Sequence, residues 1–191
     1  VNHELDWFTH ICANASTSKR IDMTPNFLIL LATAVVPFAV AMFWFHPGLF
    51  GHEKWQKIAR LSDDQHHQKI SPLRLVLSIL FNFFIALGMY AAIVHEGAVL
   101  SLVSGDVEAA ATGTAGAFLA EYGGRFSTFG HGAFHGVIIA VFLAAPIFGY
   151  AMIFERKSGK YFWVNLGYWA INMAIMGGII AQWGGKSVLA Q

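Results

Sequence analysis

Four long apolar runs alternate along this chain with polar, aromatic-edged connections. They cover residues 23–45, 75–94, 136–154 and 161–185, and none holds Asp, Glu, Lys, Arg or His. A helix needs about 20 mostly apolar residues to cross a bilayer. A helix buried in a soluble protein would instead show a polar face at helical spacing. These runs show none, so the expected fold is all-α: an integral membrane bundle of four transmembrane helices. The membrane domain spans 23–191 and follows an amphipathic extension, 1–22. The first run is too long for a secretory signal core. No internal repeat of the kind found in many transporters relates the two halves.

The connections set the orientation. Lys54, Lys57, Arg60, Lys69 and Arg74 lie in the first, and Arg156, Lys157 and Lys160 in the third. Lys19, Arg20, Arg125 and Lys186 fall on the opposite side. An excess of Lys and Arg marks the cytoplasmic face. Both termini are therefore expected outside the cytoplasm, in a multi-pass membrane protein.

Outside the spans, residues 3–15 place Leu5, Phe8, Ile11, Cys12 and Ala15 on one helical stripe, with Asn2 as N-cap. This predicts an interfacial helix. Glu4 and Asp6 on its polar face disfavour anionic lipid as the attraction. The outer loop, 96–130, opens with "GAVLSLV", too short to span. It then carries a small-residue run, 109–120, that predicts a short helix, and ends in the glycine-rich "EYGGRFSTFGHG".

The first span ends in "FWFHPGLFGHEKW", residues 43–55. Pro47 cannot continue a helix, and Gly48 and Gly51 permit a sharp change of direction. Trp55, Ile58 and Ala59 then share one face, with Lys54, Lys57 and Arg60 in water. The stretch predicts a chain that leaves the membrane and at once lies along its surface. His46 and His52 are its candidate chemical groups.

Trp44, Phe45, Pro47, Phe50, Gly51 and Trp55 carry a resemblance. Their spacing is similar to the signature of uncharacterised bacterial membrane proteins grouped as domain-of-unknown-function family 1761. The last two spans, with the "FERKS" connector and the "NLGYW" and "MGG" runs, also resemble that family. The resemblance covers about 26–183, with the middle loop poorly matched. Two departures stand out: His46 replaces a small polar residue, and the first 22 residues extend the core. It implies a four-span helical fold in a bacterial inner membrane and supplies no activity.

Small residues recur at four-residue spacing in the third span and its entry: Gly132, Gly136, Ala140 and Ala144. The fourth repeats this with Ala170, Ala174 and Gly178, and on a neighbouring stripe with Gly177, Ala181 and Gly185. Such stripes let helix backbones approach closely, predicting an antiparallel hairpin of these two spans. Pro37 and Pro146 predict kinks. Asn82 and Asn172 sit at compatible depths for a bond across helices.

The most suggestive chemistry lies at the outer edge. His95 and Glu96 close the second span. His131 and His135 open the third, four apart and hence on one helical face. Together His95, Glu96, His131 and His135 form a candidate set for zinc, copper or iron. Two of the histidines are alternatively axial ligands to haem. No motif names a cofactor.

Composition narrows the classes. Hydrophobic residues make up 56% of the 191 and charged residues 12%, with 17 Phe and 6 Trp; a soluble domain carries about 25% charged residues. The net charge of +1 gives no field for nucleic acid. One cysteine, Cys12, excludes a disulfide within the chain. With no nucleophile–base pair, phosphate loop or intramembrane charge, the leading expectation is a non-catalytic accessory or interaction subunit. It would contact the lipid bilayer and a membrane-protein partner or further copies of itself. A small metal- or haem-binding enzyme or redox protein is the alternative, and a transporter of a small neutral solute the third.

Overall fold

The structure, a computed structural model, describes residues 25–66, 70–103, 106 and 113–185. The interfacial helix expected over 3–15 lies outside them. All regular elements among the described residues are helical. Four helices are long and apolar enough to cross a membrane: Phe27–Trp44, Pro72–Ile93, Phe129–Phe154 and Gly159–Gly184.

Each long helix starts on a side-chain cap that satisfies an orphan amide of the first turn. Asn26 Oδ1 accepts from Ile29 N, Ser71 Oγ from Arg74 N, Thr128 Oγ1 from His131 N and Ser158 Oγ from Tyr161 N. All four starts differ from the apolar boundaries, the first at Phe27 rather than 23 and the fourth at Gly159 rather than 161. The second long helix begins at Pro72 rather than 75, and the third at Phe129 rather than 136. The third therefore takes in His131 and His135 as its own first turns.

Both intramembrane prolines disturb their helices as expected. The first long helix divides into Phe27–Thr33 and Val36–Trp44, with Pro37 in the first turn of the second piece. Asn82 Nδ2 donates to the carbonyl of Ala34 at this break, and Tyr168 Oη to that of Pro37. In the third, a π-helical turn, Ala140–Ala144, precedes Pro146. Proline cannot donate to the carbonyl four residues back, and a locally widened turn accommodates the gap. Asn82 and Asn172 do not bond to each other. Asn172 Nδ2 instead donates to Tyr168 O on its own helix.

The fourth long helix is the centre of the assembly. In its most apolar stretch 44% of residues are buried, against 11% for the third. Its closest neighbour is the third, and the small residues explain why. A Cβ on Gly132 would strike the Gly177 carbonyl, and one on Gly136 the Met173 carbonyl. The expected hairpin is thus formed backbone to backbone. Leu30, Ala86, Met89, Ile93, Met176 and Ile180 fill the space among the first, second and fourth helices. Asn26 N donates to Gly184 O, joining the start of the first to the end of the fourth.

The turn after the first long helix is architecture. Trp44 packs on Phe50 and Phe45 on Trp55, each pair with ring centroids 5.2 Å apart. A short helix, His52–Ala59, then buries Ala59 and half-buries Trp55 and Ile58, with Lys54, Lys57 and Arg60 exposed. Trp55 stacks on Tyr161, and Lys157 Nζ donates to Ala59 O. His46 Nδ1 accepts from Gly48 N within the turn.

At the opposite end, helix Glu96–Leu102 follows the second long helix, and helix Gly113–Tyr122 precedes the third. They pack through Val99, Leu100 and Val103 around buried Leu119. The apolar run "GAVLSLV" is thus a surface helix covered by its own loop.

Candidate metal centre

Three imidazoles meet where the second long helix ends and the third begins. The second stops at Ile93, and His95 starts the surface helix that follows. His131 and His135 project from successive turns of the third. Their position follows from the glycines beside them: Gly132 and Gly136 press that helix against the fourth. The adjacent face, carrying both histidines, is left towards His95.

One donor nitrogen from each of His95, His131 and His135 lies within 4.8 Å of the others. Ring centroids are 5.3 Å apart for His95 and His131, 5.2 Å for His95 and His135, and 4.5 Å for His131 and His135. Nitrogens around a tetrahedral zinc sit roughly 3.4 Å apart, given Zn–N bonds of about 2.0–2.1 Å. A bound ion would draw the three donors closer together than they stand here. His131 Nε2 is buried and has no hydrogen-bond partner. A buried polar nitrogen left unpaired carries a desolvation cost that coordination would offset.

Glu96, the fourth residue of the expected set, makes a different contact. Its Oε1 accepts from Gly124 N at 2.6 Å, tying the end of the outer loop to the start of the surface helix. Phe126, two residues along, lies on the histidines. It stacks on His131 with centroids 4.8 Å apart and meets His95 edge-on at 5.9 Å. Among the described residues, the convergent donor group holds the three histidines and no carboxylate or thiolate.

The other end of the protein carries the residues that relate it to known sequences. Trp44, Phe45, Phe50 and Trp55 form the aromatic corner, and a Cβ on Gly51 would strike Pro47. From the fourth helix, Gly167 makes room for the Trp44 ring, and Tyr168 packs on Phe45. The two sequence signatures are therefore two sides of one contact. A family described as "Protein of unknown function (DUF1761)" matches residues 28–181.

The chain belongs to the DUF1761 family.

The match embraces the aromatic corner, the glycine hairpin and His95, Glu96, His131 and His135 alike. No curated protein and no solved structure matches this DUF1761 chain.

Proposed function

We propose that this DUF1761 protein is a small metal-binding membrane protein. His95, His131 and His135 would hold one divalent transition ion, zinc or copper, at the edge of the bilayer. The observation that carries the reading is the convergence of three imidazole donors within 4.8 Å, one of them a buried nitrogen without a partner. Neutral imidazole suits zinc, copper, nickel and iron among the first-row metals. Three protein ligands plus an exchangeable fourth is the arrangement of catalytic rather than structural zinc sites.

Haem fits less well. A porphyrin between two axial imidazoles needs the plane between them clear across the macrocycle. The third imidazole, within 4.8 Å of both, stands close to that plane. The solute-transporter reading would draw on Asn82 and Asn172, whose Nδ2 groups each donate to a helix carbonyl while Asn172 Oδ1 is buried without a partner. The accessory-subunit reading draws on the third long helix, where Phe134, Val141, Phe142 and Leu143 are exposed; lipid covers such a face equally well. Placement in a bacterial inner membrane rests on the family resemblance, and the outward termini on the distribution of Lys and Arg. In that orientation the histidines face the non-cytoplasmic side.

The test is metal content. Protein purified in mild detergent and dialysed against Zn(II), Cu(II) or Co(II) is expected to retain one ion per chain. The double variant His131→Ala/His135→Ala is expected to retain none while eluting at the same size. Equal retention by both proteins would sink the reading. A stoichiometric polypeptide partner without metal would favour the accessory role.

A further inference from the structure

We propose that the metal site takes a small anionic donor from the aqueous side, that Phe126 is the lid over this position, and that Glu96 positions the lid. This rests on the metal-centre reading. Three imidazoles supply three donors, and a tetrahedral ion asks for a fourth. Among the described residues, the ring packed on His131 and His95 from the outer loop is that of Phe126, which cannot coordinate. Phe126 lies nearly parallel to His131, at 26°, and nearly perpendicular to His95, at 81°. One face of the ring covers imidazole, and 51% of the residue is exposed to the outside. A donor approaching the ion over His131 meets this ring, while His95 is itself exposed.

The turn that carries Phe126 is held at both ends. Arg125 N donates to Tyr122 O, Ser127 N to Gly124 O and Thr128 N to Phe126 O. Thr128 is also the cap of the third long helix, so the far side of the turn is fixed to the element bearing His131 and His135. The near side is fixed by Glu96, whose carboxylate accepts from Gly124 N at 2.6 Å. A hydrogen bond to an ionised acceptor is stronger than a neutral one. Gly124 has φ of +74°, a conformation that side chains resist, so the chain can present this amide to Glu96 without strain. Glu96 directly follows His95 in sequence. The strap and one ligand therefore belong to the same segment, and a shift of either reaches the other.

The class of donor follows from Arg125. Its guanidinium lies 5.9 Å from the Phe126 ring centroid, within cation–π range, and the residue is exposed. An anion at the lid would lie beside this charge. Hydroxide and small inorganic or carboxylate anions fit; a bulky neutral substrate gains nothing from it.

Co(II) replaces the native ion as a spectroscopic probe, and azide serves as the anion, titrated against the visible absorption of the Co(II)-loaded full chain in detergent. Wild type, Phe126→Ala, Phe126→Tyr and Glu96→Ala are compared. All four are expected to bind Co(II). Azide is expected to bind Phe126→Ala and Glu96→Ala roughly two- to tenfold more tightly, the factor that corresponds to loss of one aromatic contact. Phe126→Tyr, which keeps the cover, is expected to stay near wild type. Equal azide affinity in all four proteins overturns the lid while leaving the metal centre standing. Loss of Co(II) by Glu96→Ala makes Glu96 necessary for holding the ion, as a ligand or through His95, and overturns its role as a positioning group for the lid alone. Failure of wild type to bind Co(II) removes the metal centre itself, and the lid with it.

Discussion

His95 and His131 face each other across the junction of the second and third long helices, ring centroids 5.3 Å apart and planes inclined at 76°. Most of the outer loop separates them in sequence. Their meeting depends on where two helices stop and start, and the consequences can be measured at both levels.

At the level of ligation, an ion that binds the folded chain and not the unfolded one must stabilise it. Zn(II) at about 100 times its dissociation constant adds about 2.7 kcal/mol. Thermal unfolding in detergent is expected to shift upward by that equivalent, and a chelator to reverse it. In His95→Ala the shift should shrink towards zero. A rise of the same size in that variant would mean that the ion binds elsewhere.

Packing of the hairpin gives a second expectation. Gly136→Val would force a side chain into the Met173 carbonyl, where backbone rather than a flexible side chain must yield. A loss of about 1–3 kcal/mol or more is expected. Gly149→Ala makes a matched control, because nothing lies within 4 Å of a Cβ there. That variant should unfold no earlier than wild type, since alanine favours helix by about 1 kcal/mol over glycine. Equal unfolding temperatures for the two would contradict the close approach.

The broken first helix is held by side chains from its neighbours. Tyr168→Phe removes the bond to Pro37 O, and Asn82→Leu the bond to Ala34 O. Each is expected to cost about 1 kcal/mol, the scale of hydrogen bonds between membrane helices. Unfolding free energies in mixed micelles would show it, and no change in either variant would make the bonds incidental.

Orientation is open to labelling. In a Cys12→Ser background, Lys57→Cys and Glu121→Cys each place a thiol at an exposed position at opposite ends of the protein. An impermeant maleimide applied to intact cells or spheroplasts is expected to label Glu121→Cys and spare Lys57→Cys. The reverse pattern would invert the topology.

The four long helices are legible in the sequence because lipid imposes both length and apolarity, and few other sequences satisfy both. The hairpin seam is legible for a related reason: Gly132, Gly136 and Gly177 have no role in a lipid-facing surface, so their spacing announces a contact. Helix starts are less visible. The stretch "FGHG" reads as a breaker although the four-residue spacing of His131 and His135 reads as helix; it is helical, since Thr128 caps it and Gly132 and Gly136 are demanded by the fourth helix. Periodicity pairs His131 with His135. It does not bring in His95, whose position depends on the docking of a separate helix. Phe126 carries no signal at all, because one aromatic in a glycine-rich turn has no period. Glu96 shows the limit from the other side. Its neighbour in sequence is a member of the donor group, while its own carboxylate serves the loop.

The close contact of Gly132 with Gly177 has a consequence for how the site comes into being. The last two long helices are joined by a short connection and meet backbone to backbone. Two of the three histidines ride on that hairpin. The third arrives on the second helix, which emerges earlier during synthesis. A bound ion would therefore act as a clasp between an early half and a late half of the protein, closing only after the hairpin has docked. Its binding free energy would then be shared with that docking. Occupancy of the site would report that assembly is complete.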